Sequence, residues 1–157
     1  MRVKPQLMIP QTITIVNRHK SRDNGTGRDK FYKKVLKDCV WDSKRLSHRS
    51  GNTVTYTDGF AIQIPRDQEY TYMPYEIWKN EENLEDCFTI SLDDYIFLGE
   101  LSEDEITPNN ISQLVQAHKG NVCQIKLFDD LSLSDDSFSS KGGFLMKYAS
   151  IYYVEGE

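Results

Sequence analysis

The sequence predicts a mainly β protein with one short α-helix and long flexible loops. Three observations carry this reading. Apolar and polar residues alternate in several short runs, the period of a strand with one buried face. Those runs are punctuated by Pro, Gly, Asn and Asp, which end strands and make turns. Only one stretch, residues 111–119, joins helical spacing to helix-end signals. The chain has 157 residues. That length is read as one domain, 1–157, able to bury a core.

The elements follow in order. Residues 1–11 are expected as an extended arm, since Pro5 and Pro10 forbid helix there. Thr12–Asn17 (TITIVN) reads as a strand, with Ile13 and Ile15 on one face and Thr12 and Thr14 on the other. His19–Lys30 is a polar loop around Gly25 and Gly27. Its GTGRDK matches neither phosphate-binding pattern, so it reads as a hairpin tip. Phe31–Trp41 (FYKKVLKDCVW) supports two readings. Tyr32, Val35, Leu36, Cys39 and Val40 follow the helical template; as a strand, Phe31, Val35, Cys39 and Trp41 share a face that Lys33 and Lys37 interrupt. Periodicity by itself favours the helix.

Thr53–Pro65 (TVTYTDGFAIQIP) reads as a hairpin turning at Asp58-Gly59. A strict two-residue turn there would point Val54 and Tyr56 away from Phe60, Ile62 and Ile64. A bulge at Gly59, or cover on both faces, would resolve this. Residues 66–86 are charged and turn-rich, with a short helical turn expected at Pro74–Trp78. Phe88–Ser91 and Tyr95–Leu98 read as two strands joined across Leu92-Asp93-Asp94. In the 111–119 helix, Asn110 is the expected cap, Gln113 stands three residues on, and Gly120 is the stop. Ile111, Leu114, Val115 and His118 form its stripe. Val122–Phe128 alternates, with Cys123, Ile125 and Leu127 expected inward. Residues 130–143 (DLSLSDDSFSSKGG) read as a long flexible loop. Phe144–Val154 is apolar on both faces and reads as a central or covered strand.

Charge is unevenly placed. The net charge is −5. Residues 1–50 hold 13 Lys and Arg against 4 Asp and Glu, and residues 51–157 hold 6 against 20. A basic segment on an acidic body admits three readings: contact with nucleic-acid phosphates, contact with the acidic face of a neighbouring copy or partner, or a solvated surface. The acidic majority argues against a general nucleic-acid binder.

Little of the sequence points to catalysis or metal binding. Cys39, Cys87 and Cys123 are far apart and form no C-x-x-C, so they read as small buried side chains of a reduced protein. His19, His48 and His118 are scattered without metal-ligand spacing. The pairs Asp93-Asp94, Asp129-Asp130 and Asp135-Asp136 are neighbours. On a strand such pairs point to opposite faces, and in loops they are turn formers. No residue is assigned a catalytic, cofactor or metal role, and no enzyme activity is expected. No window approaches 18 consecutive apolar residues, and MRVKPQLMIP lacks the apolar core of a signal peptide, so no membrane partner is expected.

The order of motifs resembles a known family. TITIVN is followed by a polar turn, FYKKVLKDCVW, a strand pair ending IQIP, then PYEIW and FTISLDDYIFLGE. Over about residues 12–101 this is similar to the small neck proteins of tailed bacteriophages, the head-closure (stopper) or minor capsid head–tail connectors. The resemblance implies a small β-barrel or sandwich with one helix at 111–119, and makes Phe31–Trp41 a strand against its helical periodicity. It implies a structural virion protein without enzyme activity, assembled in the host cytoplasm. Its partners would be itself in a hexameric ring, portal and adaptor proteins on the head side, tail terminator or tail proteins, and packaged DNA in the lumen. The Asp58-Gly59 turn and the 130–143 loop depart from the family pattern. They leave open whether the position is closure ring, adaptor or tail side.

In such a ring the interfaces are heterologous, one flank meeting the opposite flank of the next copy. The candidate basic flank, inter-subunit or DNA-facing, is Arg18, Lys20, Arg22, Arg28, Lys30, Lys33 and Lys34. The candidate acidic flank is Glu81, Glu82, Glu85, Asp86, Glu103, Asp104 and Glu105. The loop bearing Asp130, Asp135, Asp136, Phe138 and Lys141 is the candidate for touching a neighbouring ring or the lumen. Anchoring is expected from Trp41, Trp78 and Tyr152. Two other functions compete: a nucleic-acid-binding barrel using residues 18–34, and an intracellular protein-interaction module.

Overall fold

Strand β1 (Gln11–His19) sets the pattern for the whole wall. Ile13 and Ile15 are fully buried on one side, and Thr14 and Val16 are buried on the other. A strand buried on both faces needs cover on both, and the chain supplies it. The computed structural model describes residues 10–130 and 151–156. The expected arm over 1–9, most of the 130–143 loop and the first part of the Phe144–Val154 strand lie outside those residues.

The wall is a closed barrel of six strands in the order β1-β2-β3-β8-β7-β6. Its other members are β2 (Lys30–Ser50), β3 (Thr53–Pro65), β6 (Tyr95–Leu98), β7 (Val122–Asp130) and β8 (Ile151–Gly156). Every neighbouring pair is antiparallel. The mainly β expectation holds, and of barrel and sandwich the fold is the barrel. Inside it, Ile13, Ile15, Leu36, Cys39, Ile62, Ile64, Ile96, Cys123, Ile125 and Val154 form the core. Burying one such isoleucine contributes roughly 1.5–3 kcal/mol.

A separate layer covers the outside of β1 and β6. Val16 and Phe97 pack against Leu101, Ile106 and, from helix α3 (Ile111–Ala117), Ile111 and Leu114. The expected helix is therefore present but ends at Ala117. Asn110 does not cap it through its side chain; its Oδ1 instead accepts the Thr107 N–H at 2.7 Å. Gly120, at φ 92°, marks the exit.

Residues 66–94 close over the barrel. Strand β4 (Thr71–Tyr72) pairs in parallel with β5 (Cys87–Phe88) in a small separate sheet. Phe88, Ile90, Tyr70 and Tyr72 pack on the barrel core. The expected Phe88–Ser91/Tyr95–Leu98 hairpin is thus corrected: β5 pairs with β4, and β6 with β1 and β7. Helix α2 (Tyr75–Trp78) follows Pro74, as its sequence suggests. Trp78 is fully buried against Leu84, Cys87, Tyr32 and Tyr75, so it serves its own chain's core and no interface. The polar loop after β1 contains a single helical turn, α1 (Ser21–Asn24).

Two expectations about β2 and β3 resolve together. Phe31–Trp41 is strand, part of the 21-residue β2. Its helical spacing has a local cause. Asp38 sits at φ 59°, and the β1–β2 register slips between Gln11↔Cys39 and Ile13↔Leu36. This bulge lets Leu36 and Cys39, three apart, both face the core. The Asp58-Gly59 turn does not exist. Thr53–Pro65 is one continuous strand, and Asp58 and Gly59 stand opposite Arg45 and Lys44. The reversal is at Gly51-Asn52, between the paired Ser50 and Thr53, with Gly51 at φ 61°. Val54, Tyr56, Phe60, Ile62 and Ile64 then keep one face, with no bulge needed. A second bulge between Ile125 and Leu127 corrects the expectation for β7: Leu127 is 40 % exposed, while Phe128 packs on the core.

Candidate interaction surfaces

Segregation of charge along the sequence does not become segregation in space. Arg18 pairs with Asp29 at 3.7 Å, and Arg22 with Asp23 at 3.7 Å. Lys20 lies 5.1 Å from the centre of the Tyr75 ring. The Tyr75 hydroxyl donates to Asp23 Oδ2 at 2.6 Å and accepts the Lys20 N–H at 3.3 Å, so the loop after β1 is pinned to α2. Lys79 joins the same cluster, 3.7 Å from Asp23. That hydrogen bond and the nearby cations hold the Asp23 carboxyl below its usual value, and burial pushes the Tyr75 phenol up to about 12.

Lys33 and Lys34 are consecutive on β2 and so serve opposite sides of the wall. Lys33 Nζ donates to the carbonyls of Leu101, at 3.1 Å, and Glu103. Lys34 is buried on the core side, 5.6 Å from the Tyr70 ring centre. Burial lowers its pKa, and Cys87, Glu85 and Asp86 oppose that. The two halves of the acidic flank therefore meet different sides of β2, with Glu85 and Asp86 near Lys34 and Glu103 at Lys33. They do not form one surface. Glu82, Glu85, Asp86, Asp104 and Glu105 are exposed.

Arg28 and Lys30 share a cleft of about 800 Å³ with Phe31, Tyr32, Glu105 and Pro108. Basic and acidic candidates meet there within one protomer. Of the loop candidates, Asp130 ends β7 opposite Tyr152. Asp135, Asp136, Phe138 and Lys141 lie outside the described residues.

Two features had escaped sequence reasoning. One is a buried polar knot. Asn17 Nδ2 donates to Thr89 O at 2.5 Å and to Asp94 Oδ2 at 3.0 Å. Thr89 N–H donates back to Asn17 Oδ1 at 3.1 Å, and the Arg18 N–H donates to Asp94 Oδ1 at 3.1 Å. Burial raises the Asp94 carboxyl to about 7 against these bonds. Its neighbour Asp93 points out and meets Lys126 at 3.2 Å. The opposed pair was legible; which member turns inward was not.

The other is the outer half of the β2–β3 hairpin. β1 pairs with β2 only as far as Cys39, and β8 with β3 only from Phe60. Residues 44–50 and 53–59 pair with each other and, among the described residues, with no other strand. They form a two-stranded ribbon that leaves the barrel, about 20 Å long at strand rise. Val54 and Tyr56 on it are 46 % and 61 % exposed. The Gly-Asn turn dipeptide was the available signal, overshadowed by Asp-Gly.

The three cysteines are buried. Burial pushes Cys39 and Cys123 up to about 12 and raises Cys87, so none is a ready nucleophile at neutral pH. Among the described residues no three His, Cys, Asp or Glu side chains gather as metal ligands. No described helix is long and apolar enough to cross a membrane.

Fold and surfaces define a small closed antiparallel β-barrel carrying a projecting ribbon. The chain belongs to the family of unknown function DUF6751, whose model matches residues 8–137. Comparison with curated proteins and with solved structures returns no match.

Proposed function

We propose that this chain is a structural protein of a tailed-phage particle, a self-associating barrel in the ring that joins the portal-adaptor assembly to the tail and helps retain packaged DNA. The observation that carries the reading is the ribbon. A closed barrel has no free strand edges, whereas residues 44–50 and 53–59 pair, among the described residues, only with each other, in a projection with exposed Val54 and Tyr56. A two-stranded hairpin alone is marginal in water, so a long projecting one is suited to a partner that covers it. The order of TITIVN, FYKKVLKDCVW, IQIP, PYEIW and DDYIFLGE supplies the phage-neck context.

The test is compositional and visual. Tailed particles are purified from cells that make this chain, and its amount is measured against the portal protein. A stoichiometric, ring-forming set of copies between head and tail, seen by electron cryomicroscopy, is expected. Absence from particles, or a single copy placed elsewhere, would overturn the reading.

A further inference from the structure

We infer that the β2–β3 ribbon is the arm by which one copy grips the next, docking along its length on the exposed acidic turn Glu82–Asp86 of a second copy. The inference rests on the self-association proposed above and names its contact.

Charge complementarity selects the occupant. The ribbon, residues 44–59, carries Lys44, Arg45 and Arg49 against the single acidic residue Asp58, which stands opposite Arg45. The remaining chain is strongly acidic, the whole being −5. Five of the seven cations of residues 18–34 are engaged inside their own protomer: Arg18 with Asp29, Arg22 with Asp23, Lys33 with the Glu103 carbonyl, Lys20 with the Tyr75 ring and Lys34 with the Tyr70 ring. The turn Glu82–Asp86 presents three carboxylates, with Glu82, Glu85 and Asp86 all exposed. None of the three is in an ion pair among the described residues.

Topology makes the contact intermolecular. Glu85 and Asp86 lie near Lys34, well inside the barrel half of β2. From there β2 runs on to Ser50, about 50 Å of extended strand away. The ribbon leads away from its own acidic turn, so the turn it meets belongs to another copy. Such a contact joins unlike surfaces head to tail, the geometry that closes into rings. Exposed Val54 and Tyr56 add apolar contact to the charge pairing.

The test uses the full chain. Sedimentation equilibrium at low salt is expected to show self-association that weakens as salt rises. A ribbon variant with Lys44→Glu, Arg45→Glu and Arg49→Glu, and a turn variant with Glu82→Lys, Glu85→Lys and Asp86→Lys, should each weaken it at least about tenfold. Mixing the two variants should restore it, because each then offers the other a complementary pair. A photo-cross-linking residue at Val54, in a mixture of isotopically light and heavy chains, should give light–heavy adducts at residues 79–90. This second readout stands even if a charge variant fails to fold. A wild type that stays monomeric at every concentration overturns the inference. So do a ribbon variant that associates like wild type, adducts mapping elsewhere, or a ribbon that binds duplex DNA and not the chain. Each of those leaves the neck reading to its own particle test.

Discussion

Asn17 and Asp94, 77 residues apart in sequence, meet at 3.0 Å in the closed-off interior, the amide donating to the carboxylate. Asp94 is 3 % exposed, and Asn17 also holds Thr89 by both its N–H and its carbonyl. The pair ties β1 to the segment that covers the barrel. Removing Asn17 would leave polar groups at Thr89 and Asp94 buried without partners, a loss of about 3–5 kcal/mol.

The knot also makes stability depend on pH in an uncommon direction. The Asp94 carboxyl, ordinarily near 3.8, is raised to about 7, chiefly by burial. A group raised on folding contributes stability fully below its unfolded value and loses it as pH rises through its folded value. Relative to Asp94→Asn, the wild type should lose up to about 4 kcal/mol between pH 4 and pH 8. Urea unfolding of both proteins at several pH values measures this. A constant difference between them would assign the titration elsewhere.

Trp78 separates packing from hydrogen bonding. It is fully buried, 5.3 Å from the His19 ring and 5.8 Å from the Tyr32 ring, and its Nε1 has no partner. Trp78→Ala should cost about 3–5 kcal/mol. Trp78→Phe keeps most ring contact and discards an unpaired donor, so it should cost less than about 1.5 kcal/mol. Equal losses by chemical denaturation would refute the packing account.

Asp38 holds the bulge that turns β2. At φ 59° a glycine is at ease and a β-branched residue is strained. Asp38→Gly should therefore raise stability by about 0.5–1 kcal/mol, and Asp38→Val should lower it by at least about 1 kcal/mol. Thermal unfolding of the two variants, with opposite shifts expected, decides the point.

Gly156 lies in the seam between β7 and β8. A Cβ there would stand 2.7 Å from Cys123 Sγ and 2.7 Å from the Gln124 carbonyl oxygen. Gly156→Ala should cost about 1–3 kcal/mol through overpacking. Hydrogen exchange should show faster opening of β8 than of β1. Unchanged protection would mean that the seam can widen freely.

The strand alternation in TITIVN and VCQIKLF made the β class legible before any coordinates. The barrel's closure was not, because it depends on β8 entering between β3 and β7, a pairing without local signal. Bulges account for the main misreadings. The one at Asp38 imitates a helical period, and the one at Ile125/Leu127 swaps an expected inward residue for its neighbour. Asp58-Gly59 looks like a turn but lies mid-strand, where Gly59 is buried opposite Lys44. The charge split was plain in the sequence, yet folding interleaves Lys33 and Lys34 with both acidic segments.

Because residues 151–156 are the stave between β3 and β7, the described strands synthesised before them make an open sheet whose β3 and β7 edges await that stave. A nascent chain on the ribosome thus exposes adhesive backbone until nearly its last described residues emerge. Premature copies crowded on one messenger are prone to tangle with each other, and the cell must keep them apart until the ring of strands can shut.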